Sequence, residues 1–119
     1  NMANKLLEHS LIDKVYHPAL PSFPNHNIWK RDFTGSSGLF AFSLKKKYSL
    51  KSIKKFYNKL KIFKLGYSWG GFDSLITFPR LSKRTFKNEV NGNLIRVYCG
   101  LEDSQDQIND ILNALKVLK

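Results

Sequence analysis

Leu39-Phe40-Ala41-Phe42-Ser43-Leu44 runs for six residues with almost no polar alternation. A strand of that composition must be covered on both faces, or nearly so. A chain of 119 residues has room for one domain, so the cover has to come from the remaining sequence. Further strands are predicted at Val15-Tyr16, stopped by His17-Pro18, at Phe63-Leu65 through Tyr67, at 72–78, and at Asn93 through Cys99, ended by Gly100. Helices are predicted over 2–9, from Ser49 as N-cap to about Lys59, and at the end of the chain. In that last helix Ile108, Ile111, Leu112, Leu115 and Leu118 fall at helical spacing. Ser104 and Gln107 fit a capping box there, and Asp103 and Asp106 suit the positive helix start. Ile28–Phe33 is a short helical turn holding Trp29, 18–27 is a proline-rich loop, and 79–91 is polar and irregular. The expected fold is α+β, with about four strands in a mainly antiparallel sheet and helices packed on one face.

Several function classes drop out. The alternating strand–helix order and Gly-rich turn of a nucleotide-binding fold are missing. No apolar run approaches the ~20 residues that cross a bilayer, and no signal-peptide pattern opens the chain. Cys99 is the single cysteine, so it cannot form an internal disulfide, and its apolar strand context fits a buried reduced thiol. The cytoplasm is the default compartment. The histidines are not at ligand spacing, so no metal site stands out.

The net charge of +11 invites a nucleic-acid reading. Nine lysines lie between Lys45 and Lys64. On the helix after Ser49, Leu50, Ile53, Tyr57 and Leu60 mark an apolar face, and Lys51, Lys54, Lys55 and Lys59 cover the others. That is the solvated face of an amphipathic helix. Lysine dominates where arginine would serve base or phosphate readout, which argues against nucleic acid as the partner. A basic patch could still bind polyanions weakly.

Gly66-Tyr67-Ser68-Trp69-Gly70 fits G-x-S-x-G, the nucleophile elbow of serine hydrolases. An elbow needs a histidine later in the chain, whereas His9, His17 and His26 all precede Ser68. It must also turn into a helix, and the residues that follow alternate like a strand. The hydrolase reading is rejected. Ser68-Trp69-Gly70-Gly71 is then either a tight turn with a packed Trp69 or a place where a ligand approaches the backbone. Arg96 lies at the centre of an apolar strand, where arginine is rarely buried without a partner. It could pair with Asp73, Glu102 or Asp103, or grip the carboxylate of a ligand through its planar fork.

Four blocks carry a resemblance. They are Val15-Tyr16-His17-Pro18-Ala19-Leu20-Pro21, Ile28-Trp29-Lys30-Arg31-Asp32-Phe33-Thr34-Gly35-Ser36-Ser37-Gly38-Leu39-Phe40, Tyr67-Ser68-Trp69-Gly70-Gly71-Phe72-Asp73-Ser74-Leu75-Ile76 and Leu94-Ile95-Arg96-Val97-Tyr98-Cys99-Gly100-Leu101-Glu102-Asp103. In this order they resemble the C-terminal domain of bacterial cystathionine β-lyases, in the Cys/Met-metabolism family of pyridoxal-phosphate enzymes of fold type I. The resemblance covers nearly the whole chain, and Trp69 favours the β-lyase branch. It implies that Arg96 grips the α-carboxylate of an amino-acid substrate. Ser68 and Trp69 would lie beside that carboxylate, and Tyr67 near the substrate. The reaction implied is the cleavage of cystathionine to homocysteine, pyruvate and ammonia.

The family's large domain, with its cofactor-binding lysine and phosphate ligands, should precede residue 1, leaving 1–119 as the small C-terminal domain. No residue here is expected to be catalytic or to bind pyridoxal phosphate, and the chain alone is expected to be inactive. The stretch 79–91 also looks shorter than the family's equivalent. The partners implied are a separate cofactor-binding domain or a second copy of the chain, with a sulfur amino acid as substrate of the complete enzyme. The alternative is a stand-alone binding or oligomerisation module with a basic surface helix.

Overall fold

A computed structural model describes residues 1–82 and 90–118. The elements are α1 Met2–Leu7, β1 Ile12–Tyr16, α2 His26–Asp32, β2 Leu39–Leu44, α3 Leu50–Lys59, β3 Lys64–Leu65, β4 Leu75–Thr77, β5 Leu94–Tyr98 and α4 Ser104–Leu115. The fold is α+β as expected, with five strands rather than about four, in the order β1-β2-β5-β4-β3. Every pair is antiparallel except β3 and β4, which run parallel. Much of the irregular stretch expected over 79–91 lies outside the described residues. None of the described helices is long and apolar enough to cross a membrane.

The core lies between one face of the sheet and helices α1, α3 and α4. Phe40 and Phe42 on β2, Ile76 on β4, and Ile95 and Val97 on β5 point into it. Opposite them stand Leu6 of α1, Ile53 and Phe56 of α3, and Ile108, Ile111, Ala114 and Leu115 of α4. Each large side chain fully buried here contributes roughly 2 kcal/mol. The strand over 39–44 is covered on both faces or nearly so, as expected: on the face away from this core Ser43 is fully buried and Leu39 and Ala41 are half-buried.

Two local expectations shift. Ser49 caps α3 by accepting from the Ser52 amide at 3.2 Å, but the buried stripe is Ile53 and Phe56. Leu50, the first helical residue, stays 64% exposed on the lip of a cleft. At α4 the cap is Asp103, one residue before the expected Ser104. Its carboxylate accepts from the amides of Gln105 and Asp106 at 2.8 and 3.0 Å. A carboxylate at the helix start also meets the positive end of the dipole, so it outcompetes the neighbouring hydroxyl. Gln107 is thereby free of capping and turns inward, 4% exposed.

Candidate functional site

Strand β5 alternates strictly. Ile95 and Val97 face the core, and Leu94, Arg96 and Tyr98 are half-buried on the opposite face. Period-two alternation puts Arg96 in a cross-strand row between Ala41 of β2 and Thr77 of β4. The small Ala41 leaves room beside the guanidinium.

Parallel strands β3 and β4 are joined by residues 66–74, a shorter return than the dozen or so residues such connections usually take. The chain turns through Gly70 at φ 86°, the one positive φ among the described residues. That conformation favours glycine. The resulting bend lies against β5 and the turn that follows it. Arg96 Nη2 donates to the carbonyls of Tyr67 at 2.5 Å and Ser68 at 3.4 Å. The Tyr98 hydroxyl donates to the Gly71 carbonyl at 2.9 Å, and the Leu101 amide to the Phe72 carbonyl at 2.8 Å.

Gly100 is required by this approach, because a Cβ there would stand 2.1 Å from the Phe72 carbonyl oxygen. Backbone on both sides cannot yield easily. Gly100→Ala should therefore lower stability by about 2–3 kcal/mol, read as a lower urea midpoint with an unchanged slope.

The three carboxylates considered as partners for Arg96 are all engaged elsewhere. Asp73 pairs with Lys64 at 3.0 Å. Asp103 caps α4. Glu102 accepts from the Ser74 amide at 2.9 Å and the Ser74 hydroxyl at 2.7 Å. Burial pushes the Glu102 carboxyl upward. The hydrogen bonds from Ser74, from its own amide and from Gln107 outweigh this and hold it at about 2. A depressed folded value adds stability above the unfolded carboxylate range, and that stability is lost as pH falls through about 2. Among the described residues, then, no carboxylate pairs with Arg96, and its hydrogen bonds run through Nη2 to backbone carbonyls.

The structure brings together all four residues singled out by the sequence, Arg96, Tyr67, Ser68 and Trp69. It does so differently from the packed-turn reading. Trp69 is 62% exposed and Tyr67 83% exposed, with Phe72 and Leu101 also open to solvent nearby. The bend is held by its backbone, and its aromatic side chains face outward. Two clefts of about 490 and 690 Å³ lie elsewhere, lined from 17–39 and from 47–53, 78–82 and 90–94. Neither cleft is lined by Arg96, whose cross-strand neighbours Ala41 and Thr77 are half-buried and buried.

The histidine nitrogens are used locally. His9 accepts from the Leu11 amide, His17 accepts from the Ala19 amide and lies 3.3 Å from the Ser37 carbonyl, and His26 lies 2.9 Å from the Pro18 carbonyl. None of these contacts reaches Ser68. Burial pushes the Cys99 thiol up to about 11, which suits the inert thiol expected from its setting.

Sequence reasoning passed over two features. Tyr98, two residues from Arg96 on the same face, could have been read from the alternation alone. The Ser74–Glu102–Gln107 cluster could not, because Ser74 lies about thirty positions from the other two.

Among the described residues, the sheet thus carries on its non-core face an arginine with no carboxylate partner, beside a glycine bend. The chain belongs to the Cys/Met metabolism PLP-dependent enzyme family, whose model matches residues 1–116. It is 42% identical over 118 residues to an L-alanine/L-glutamate racemase of Wolbachia pipientis, covering 96% of this chain and 29% of the relative. It is 43% identical over 115 residues to the cystathionine β-lyase MetC of Escherichia coli, covering 92% and 29%. The crystal structure of a cystathionine γ-synthase from Xanthomonas oryzae superposes with a TM-score of 0.81 at 26% identity, over 98% of this chain and 31% of that one. The chain thus spans less than a third of the length of these relatives.

The family depends on pyridoxal phosphate, and the residues described here do not by themselves fit that group. Every described lysine is exposed, whereas a lysine that forms a Schiff base is activated by desolvation or a cationic neighbour. The bend turns carbonyls, not amides, toward Arg96 and Tyr98, so it offers acceptors where a phosphate needs donors. Among the described residues no cluster of His, Cys, Asp or Glu could hold a metal ion.

Proposed function

We propose that residues 1–119 form the small, C-terminal domain of a pyridoxal-phosphate enzyme, and that Arg96 binds the α-carboxylate of its amino-acid substrate. The observation that carries this is the state of Arg96. It lies half-buried on the non-core face beside the bend, and each nearby acid is already engaged. Its guanidinium can present two parallel N–H groups to a carboxylate. Ser68 and Trp69 would border that carboxylate and Tyr67 the rest of the substrate, the exposed aromatics forming part of the wall that a cofactor-bearing domain would complete. Holding one end of the substrate fixes its orientation, which is the contribution this domain can make to rate. Chemistry at Cα belongs to the part of the enzyme that carries the cofactor.

The reaction proposed is carbon–sulfur cleavage of cystathionine to homocysteine, pyruvate and ammonia, after the β-lyase relative. A second reading, racemisation of a small amino acid, is favoured by the similarly close racemase relative. Both substrates carry an α-carboxylate, so the role of Arg96 is common to the two.

The chain alone should release no pyruvate from cystathionine. Joined to, or co-expressed with, a cofactor-binding domain of the family, it should restore pyruvate release. Restored alanine racemisation without pyruvate would select the second reading. Turnover by the isolated chain, or neither activity from a folded assembly, would reject the proposal.

A further inference from the structure

Ser74 is fully buried, and its hydroxyl is used three times. It donates to Glu102 at 2.7 Å and accepts from the Gly100 amide at 2.9 Å and from Gln107 Nε2 at 3.1 Å. Gln107 Nε2 also reaches Glu102 Oε2 at 3.1 Å and the Gly100 carbonyl at 3.2 Å. Burying a hydroxyl and an amide is costly unless they are satisfied, and a closed network of this kind holds its members in one arrangement. What it fastens is the far end of the 66–74 bend. The near end lies on Arg96 and the middle on Tyr98. All three fastenings are therefore made by one short run of chain, 96–102.

We propose that Glu102 is a positioning residue for the carboxylate site: through Ser74 and Gln107 it fixes the far end of the bend, and so sets where the Tyr67 and Ser68 carbonyls hold the Arg96 guanidinium. The inference rests on Arg96 being the carboxylate clamp. The carbonyls hold Nη2, the nitrogen common to both two-point edges of the guanidinium, so the orientation of the fork follows the bend. A carboxylate bound through two N–H groups takes over the long 3.4 Å contact to Ser68. A drift of about 1 Å would spoil two-point binding of a carboxylate. Glu102 remains charged across the physiological range, so the fastening is a charge-assisted one.

Glu102→Gln separates this role from general stability. By amide hydrogen exchange on the chain, the Ser74 and Leu101 amides should exchange about tenfold faster, the size expected for losing one charge-assisted hydrogen bond. The Ile95 and Val97 amides should keep their protection, showing an intact core. In the complete enzyme the same variant should raise KM for the amino-acid substrate about tenfold, with kcat nearly unchanged. Should Glu102→Gln fail to fold, Ser74→Ala removes only the hydroxyl and gives the same two readings.

Unchanged exchange at Ser74 would overturn the proposal. So would faster exchange with an unchanged KM in an assay where Arg96→Lys raises it; that result leaves the clamp standing and makes the cluster a structural tie only. An unchanged KM in both variants would overturn the clamp, and this inference with it.

Discussion

Arg96→Ala is expected to lower kcat/KM of the complete enzyme by roughly 10²–10⁴-fold, while leaving the fold intact. A two-point guanidinium–carboxylate contact contributes about 3–5 kcal/mol when one side is truncated, and each 1.36 kcal/mol is a factor of ten. Arg96→Lys keeps the charge but loses the planar fork, so a smaller loss of roughly ten- to a hundredfold is expected. The stability cost should stay below about 1 kcal/mol, because the carbonyls of Tyr67 and Ser68 belong to exposed residues and can turn to water. Steady-state kinetics beside a urea melt reads both quantities. A large stability loss with unchanged kcat/KM would make Arg96 a structural residue.

The largest stability effect is expected at Asp110. Its carboxylate, on α4, accepts from three successive amides, those of Lys61 and Ile62 at 2.8 Å and Phe63 at 3.1 Å. These amides open the segment that enters β3, and Phe63 beside them is 2% exposed. Asp110→Ala would strand donors at a buried position and should cost about 3 kcal/mol. Asp110→Asn retains one acceptor oxygen and should cost about half as much. The check is the urea midpoint of both variants against the wild-type chain. Equal midpoints would show that water satisfies those amides as well as Asp110 does.

How much of this could be read from the residues depended on how local the cause was. The alternation in β5 is local, so Arg96 stood out and its face was determined by period two. The apolar spacing of α4 likewise identified a buried stripe. The capping residue was off by one because Ser104 and Asp103 compete for the same amides and only the folded geometry decides between them. Trp69 could not be placed from the sequence. Its exposure follows from Gly70 at positive φ and from contacts to residues about thirty positions later. The parallel pairing of β3 with β4 was hidden for the same reason, since two short apolar runs around a double glycine fit a hairpin equally well. Resemblance to the family, carried by four blocks, gave meaning to residues whose spacing alone left the ion-pair and ligand readings of Arg96 open.

A crystal structure of the complete enzyme with a bound amino-acid inhibitor tests the central claim most directly. Both oxygens of the inhibitor's α-carboxylate are expected about 2.7–2.9 Å from the Arg96 guanidinium, with Ser68 and Trp69 alongside. A carboxylate held by other residues, with Arg96 bonded only to the bend, would contradict it.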